Sequence, residues 1–245
     1  MFYQPGITHH NLPRDPFKVR TLLIQLNAST YTDKACVVPR PIGWISTENK
    51  QGQANLAPFS QFNNLTFDPP YVMFSANQTG TGTRKDTVVN VEETGHFVWN
   101  LATWDLREAV NITAEQLPYG VDEFDRAGLR KEPATLINVP MVRESPVKFE
   151  CQYHTTLRLP GNPPMGTVDV VIGRVIAVHI KDDVLTDGIL DVRKTRPIAR
   201  CGYYQYAVIE ETFDMVIPGT SEDVLYGLEG NMQRNREKAE EGNVT

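Results

Sequence analysis

The sequence predicts a mainly β protein, a barrel or sandwich carrying a few helices. Three observations point there. Short runs of β-type residues follow one another at 42–47, 71–76, 97–102, 147–157, 168–180 and 204–210. Turn-forming clusters punctuate them at 48–52, at Asp68-Pro69-Pro70 and at 160–164, and many strands with such punctuation are the mark of a barrel or sandwich. The chain has 245 residues, 40% of them hydrophobic, and no Gly/Ser-rich or Pro-rich linker divides it. That suffices for one sizeable core.

The clearest strand is 168–180. Its even positions, Val168, Val170, Ile172, Arg174, Ile176, Val178 and Ile180, are nearly all apolar. Its odd positions include Asp169, Gly173, Ala177 and His179. The alternation predicts that the even face packs a core and that the odd face meets solvent, a ligand or a partner subunit. Three helices are expected between strands. Asp86 caps the first, from Thr87 to about Thr94, and Gly95 stops it. Thr103 caps the second, which runs through Trp104, Leu106 and Val110 and ends before Pro118. The third spans 122–127 and closes at Gly128. Residues 1–36 form an N-terminal segment whose first part, 1–18, reads as an extended arm, with Pro5, Pro13 and Pro16 breaking any regular pattern. The domain proper is placed at 37–217. Residues 218–245 read as a polar tail, frayed or a solvated helix.

Composition removes several classes of function. A net charge of −6 argues against a general nucleic-acid binder, while leaving room for a local basic pocket that holds one phosphate. Cys36, Cys151 and Cys201 are odd in number and form no CxxC. They read as reduced thiols of a cytoplasmic protein, and no zinc site is expected. The polar start has no apolar leader, and no apolar run approaches the roughly 20 residues of a membrane span. The N-x-S/T triplets at Asn27, Asn64, Asn77 and Asn111 are then chance matches. There is no GxGxxG after a strand, no GxxxxGK[ST], no HExxH and no GxSxG.

Three segments carry candidate chemistry. After the weak Gly80-Thr81-Gly82 turn, Thr83-Arg84-Lys85-Asp86-Thr87 sets two cations and two hydroxyls at a helix start. Unpaired N–H groups and a partial positive charge there favour phosphate; the plain alternative is a solvated, capped helix. In 55–63, small, polar and aromatic residues alternate. A planar heteroaromatic ring needs an apolar platform with edge donors and acceptors, and Asn55, Ser60 and Asn63 supply both; the alternative is an ordinary strand turning at Pro58. In 39–47, Pro39-Arg40-Pro41 leads into Trp44, by default a core residue. Ser46 and Thr47 follow as strand-end hydroxyls.

Taken together, PRPIGWIST, NLAPFSxFN, PPxVMFS and RKDTxxNxxETGxFVxN resemble the signature of the flavin reductase-like, FMN-binding split-barrel family. The likeness continues through Val171–Ile180 and Arg196-Pro197-Ile198-Ala199-Arg200. It implies a mainly β, homodimeric split β-barrel with FMN near the subunit interface. By the same resemblance Trp44, Ser46 and Thr47 flank the flavin. Asn55, Ala57, Pro58, Ser60 and Asn63 hold its ring and ribityl chain, Ser75 ends the next matching strand, and Arg84, Lys85, Asp86 and Thr87 seat the phosphate. Two departures stand out. The family's Leu-Gly-Gly after the Arg200 position is replaced by Cys201-Gly202-Tyr203, which leaves the role of Tyr206 open. Val19 to Lys34 also intervenes between the arm and the first strand. That stretch reads either as a genuine loop or helix or as a short translated intron, because Val-Arg is encodable as GTAAGA and Thr-Asp-Lys as ACTGACAAG.

The resemblance implies hydride transfer from NADH or NADPH to FMN, with the nicotinamide stacked on the exposed ring and no Rossmann domain needed. Such a transfer demands no catalytic acid or base, so none is assigned. His154 and His179 are the nearest candidates for a donor, each with an ordinary structural role as the alternative. Three functions fit: an NAD(P)H-dependent flavin reductase serving a monooxygenase or a small acceptor, a non-enzymatic FMN electron carrier, or an FMN oxidase of the pyridoxamine-phosphate-oxidase type. The fold alone does not separate them.

Overall fold

The structure is a computed structural model that describes residues 14–15, 31–32, 35–78, 82–161, 166–202, 204–213, 215 and 218. Most of the arm, most of 19–34 and the tail from 219 lie outside the described residues, as do Gly80, Thr81 and Tyr203. The chain divides into two units, Met1–Glu210 and Glu211–Thr245. Within the first, β1 (Arg14–Asp15) pairs in parallel with β2 (Tyr31–Thr32). Next come β3 (Arg40–Pro41), β4 (Gly43–Glu48), β5 (Ala54–Phe59), β6 (Phe62–Phe67) and β7 (Pro70–Asn77). Helix α1 (Asp86–Thr94) leads to β8 (His96–Asn100), and α2 (Arg107–Ile112) and α3 (Glu123–Arg126) follow. A short hairpin of β9 (Lys131–Pro133) and β10 (Pro140–Val142) precedes the long strands β11 (Val147–Leu159) and β12 (Val168–Ile180). Beyond them lie β13 (Leu185–Thr186), β14 (Ile189–Leu190), α4 (Val192–Thr195), β15 (Ile198–Gly202) and β16 (Gln205–Val208).

Seven strands form one antiparallel sheet in the order β5-β4-β8-β11-β12-β7-β6. Its two edges, β5 and β6, are consecutive in the chain and joined only by Ser60 and Gln61. Two residues span roughly 7 Å at most. The sheet must therefore curl until its edges meet, which makes a barrel. No β5–β6 ladder closes that seam among the described residues.

The barrel interior holds Ile45, Phe59, Phe62, Phe74, Phe97, Trp99, Val171 and Val175, and α1 contributes Val88 and Val91 to it. Phe62 stacks on Trp99 with ring centroids 5.3 Å apart, and Phe74 meets Phe97 edge-on at 5.5 Å. A second apolar layer lies outside the wall, where Ile42, Trp44, Leu56, Val110, Phe124, Val142 and Ile198 cluster. Strand β4 serves both layers, since alternate side chains face opposite ways: Ile45 points in and Trp44 out.

The predicted strands are present within a few residues, and β12 has the predicted bounds. Its facing is a correction. From Val168 to Val175 the odd side chains Asp169, Val171 and Val175 are the buried ones; past the register shift at Glu150 and Cys151, Val178 and Ile180 pair with Phe149 and Val147 of the interior cluster, so there the even side is the one turned toward the core. Gly173 explains the inversion: a Cβ there would stand 2.3 Å from the buried Phe97 ring, so the inner side has to be small at that point. Alternation identifies two faces without saying which is inside.

Helix starts also differ from expectation. α1 begins at Asp86 itself, with Lys85 as an N-cap that makes no side-chain bond. α2 begins at Arg107 rather than after Thr103, which is spent in a bridge to Pro197. The third helix is as read: the Asp122 carboxylate accepts from the Phe124 N–H. Gly95 ends α1 in the left-handed conformation, φ 79°, where glycine alone is free of strain.

Gly173→Ala tests the close approach at the barrel wall. Overpacking of this kind costs about 1–3 kcal/mol, so chemical denaturation of the variant is expected to show that loss. An unchanged midpoint would mean that the Phe97 ring moves aside freely.

Candidate functional site

A cleft of about 670 Å³ opens where three pieces of chain converge. These are the outer part of β5 with Asn55, Ala57, Pro58 and Phe59, the approach to α1 from Thr83 to Thr87, and the segment 113–119. A volume of this size lies in the range of small-molecule and cofactor sites. Strand β5 is an edge strand, so alternate backbone groups face away from β4. Of the outward positions, Leu56 gives its N–H to Glu123 Oε2 at 2.9 Å, and Pro58 has no N–H to give.

The floor is tied together by buried amides and hydroxyls. Asn55 Nδ2 donates to Thr87 Oγ1 at 2.9 Å. Asn90 Nδ2 donates to Thr47 Oγ1 at 3.1 Å, and Tyr119 Oη donates to Asn90 Oδ1 at 3.0 Å. These bonds fix the start of α1 against β4 and β5 and hold the 113–119 segment over it.

Arg84 and Lys85 have different tasks. The Arg84 guanidinium donates to both Glu92 oxygens, at 2.7 and 2.6 Å, and through Nε to Asp169 Oδ2 at 3.0 Å. Asp169 is buried in β12 and also accepts from Arg158 Nε at 2.8 Å. The Glu92 pairing, opposed by burial and aided by Asp169, holds Arg84 firmly protonated, and Arg84 in turn holds the Glu92 carboxyl below its ordinary range. Arg84 thus fastens the approach to α1 onto the barrel wall. The Lys85 side chain makes no hydrogen bond or ion pair among the described residues, and it stands at the uncapped helix start. The N–H groups of Val88 and Val89 bond back to the Lys85 carbonyl; the N–H groups before them have no carbonyl within the helix to meet, so this is the end that favours an anion. Burial pushes Asp86 up, and the neighbouring Lys85 opposes the shift.

Of the predicted site residues, Asn55, Ala57, Pro58, Arg84, Lys85, Asp86 and Thr87 line the cleft together. Thr47 sits one bond behind it through Asn90. The other five are elsewhere. Trp44 is fully buried in the outer layer and donates Nε1 to Thr113 Oγ1 at 2.9 Å. Ser46 is buried and donates to the Pro140 carbonyl at 2.6 Å. Ser60 lies at the seam, half-buried. Asn63 is exposed opposite Met73, and Ser75 stands opposite Val170, so both belong to the outer face of the sheet. His154 packs edge-on against Tyr71, and His179 Nε2 lies 2.6 Å from the buried Glu150 Oε1; neither lines the cleft.

Sequence reading missed Glu123, Tyr119 and Asn90. Glu123 follows a recognisable cap, Asp122, but nothing local shows that α3 docks on β5. Glu123 is 6% exposed, and burial, with smaller help from Asp86 and Asp122 and against the Leu56 N–H, pushes its carboxyl up to about 7.

The described residues contain no group of His, Cys, Asp and Glu side chains able to hold a metal ion, and no helix among them is long and apolar enough to cross a membrane. Comparison with known proteins agrees with the barrel. A structure of nitrilotriacetate monooxygenase component B from Bacillus cereus superposes with a TM-score of 0.68 at 31% identity, covering 73% of this chain and 88% of that one. A split-barrel protein from Shewanella frigidimarina superposes with a TM-score of 0.63 at 23% identity, covering 73% and 86%, which bears on fold alone. An uncharacterized protein of Halalkalibacterium halodurans is 35% identical over 187 residues, 76% of this chain and 90% of its own. The profile of the flavin reductase like domain matches residues 35–199, beginning just past the 19–34 stretch. The fold is the split barrel, and the chain belongs to the flavin reductase like domain family.

Proposed function

We propose that this protein is an FMN-dependent oxidoreductase, an NAD(P)H:flavin reductase whose reduced flavin serves a monooxygenase partner or a small acceptor. The observation that carries this reading is the convergence of Lys85, the uncapped start of α1 and the edge of β5 that no other described strand pairs on one cleft. The residues fit the group. Lys85, the Thr87 hydroxyl and the open first-turn N–H groups suit the phosphate, Asn55 the ribityl hydroxyls, and the outward carbonyls of β5 the N–H edge of a planar ring. FMN, when bound, supplies the hydride-accepting chemistry. The protein's own part is to bind, orient and partly enclose it. The likeness to a monooxygenase component B favours a reductase that passes reduced flavin to a separate enzyme.

A homodimer belongs to the same reading. The outer faces of β11 and β12 expose Leu157 at 55% and Leu159 at 42%. Leu157 pairs with Val170, and Leu159 with Val168, so these form one apolar surface. A contiguous apolar patch on a barrel wall marks an interaction site, and a self-complementary one is most often a two-fold dimer. Asn63 and Ser75 lie on that outer face and would stand toward the subunit boundary, as residues near a shared flavin would.

Three experiments test this. The purified protein with FMN, treated anaerobically with NADH and then NADPH, should bleach the flavin spectrum quickly with at least one of them. Bound flavin that stays oxidised would favour the electron carrier or the oxidase. Lys85→Ala combined with Thr87→Ala should weaken FMN binding about a hundredfold or more, since charge-assisted hydrogen bonds are worth roughly 1.5–3 kcal/mol each. Riboflavin, which has no phosphate, should be affected far less; equal losses for both ligands would remove the phosphate assignment. Sedimentation should give a dimer, and Leu157→Glu with Val170→Glu should give a folded monomer. A wild-type monomer at micromolar concentration would end the dimer proposal.

A further inference from the structure

The cleft carries more acid than a phosphate site should. Its charged lining among the described residues is Arg84 and Lys85 against Asp86, Glu115 and Glu123. Arg84 is already matched by Glu92 and Asp169, and Glu115 pairs with Arg126. An incoming anion therefore meets Lys85 opposed by two carboxyl groups. Of these, Asp86 stands next to Lys85 in the chain, whereas Glu123 has no cationic partner among the described residues. Glu123 is 6% exposed, and among the described residues the one bond its carboxylate accepts from another residue is the N–H of Leu56. A buried carboxylate without a cation is costly, and a phosphate brought beside it adds like charge. Taking up a proton relieves both.

We propose that Glu123 is a further cofactor-binding residue, which takes up a proton from solvent as the anionic flavin enters and then faces it as a neutral carboxylic acid. This rests on the FMN reading of the cleft. Burial already pushes the Glu123 carboxyl up to about 7, so the group is divided between its two forms near neutral pH before any ligand arrives. A nearby anion moves it further toward the neutral form. The charged and titratable groups facing it are few. The start of α1 presents Lys85 and Asp86, and the 113–119 segment presents Glu115 and the Tyr119 phenol. Its own helix presents Asp122, which is bonded to Lys131. Strand β5 offers only the Leu56 N–H.

The sign follows from linkage. A ligand that raises a group's pKa binds with proton uptake, so its affinity is full below the free group's pKa and falls as pH rises above it, by up to about tenfold per pH unit. The second ionisation of a phosphate ester, near pH 6, lies below this window. A slope above pH 7 is therefore not the ligand's own titration.

The test is the dissociation constant of FMN, followed by flavin fluorescence from about pH 7 to 9, for the wild type and for Glu123→Gln. Glutamine keeps a carbonyl for the Leu56 N–H and does not ionise. The wild type should lose affinity by up to about tenfold per pH unit, and the variant should give a flat profile. Calorimetry of FMN binding to the wild type in two buffers of different ionisation enthalpy should show proton uptake, a readout that stands even if the variant does not fold. A flat wild-type profile without proton uptake overturns the proposal. So does a slope that persists in folded Glu123→Gln, which would move the proton to Asp86. Failure of FMN to bind at any pH overturns the FMN reading and this inference with it, whereas binding without proton linkage overturns this inference alone.

Discussion

Everything in this fold depends on the two residues, Ser60 and Gln61, that join opposite edges of a seven-stranded sheet. The connection leaves the sheet no flat solution. Once the sheet curls, its concave side becomes a closed apolar interior filled by rings such as Phe59, Phe62, Phe74 and Trp99. Closure without a β5–β6 ladder also leaves β5 with one edge unpaired among the described residues. That edge lines the cleft, so the constraint that shapes the barrel also makes the site.

The second fastening is electrostatic. Arg84 reaches Glu92 within α1 and Asp169 in the wall, and Asp169 also holds Arg158 of β11. A buried acid shared by two guanidinium groups adds little net stability, because removing the charges from water costs about as much as their attraction returns. What it does supply is position. It sets the start of α1 at a fixed distance from β12, and Lys85, the next residue, is left free to meet a ligand. Two adjacent cations of the same chemical type therefore divide the work: one holds the frame and the other faces the cleft.

Much of this was legible in the sequence, and the gaps have physical causes. Strand positions were readable because β-branched runs and turn clusters are local properties. The signature segments pointed correctly to the family, and seven of the residues chosen from them meet in the cleft. The inner face of β12 was misread because both of its faces are largely apolar, and the decisive fact, a glycine beneath the Phe97 ring, is tertiary. Trp44 and Ser46 show the same limit. Their segment runs beside the site, but strand alternation turns them into the outer layer, where Trp44 meets Thr113. Glu123 was invisible because a four-residue helix carries no sign of the strand on which it docks.

An unpaired strand edge is ordinarily a hazard, open to any other chain that can add a strand. Here β5 is protected in two ways that bear on ligand binding. Pro58 removes one outward donor, and Glu123 occupies the next at Leu56. A foreign strand needs alternating donors and acceptors and finds these two donors gone. The outward carbonyls remain, and they suit a ligand that brings its own N–H groups along one flat edge. On the proposed flavin reading, the residues that guard β5 are thus the same ones that would tune it toward a planar heteroaromatic ring, and protection and recognition would arise from one arrangement of the backbone.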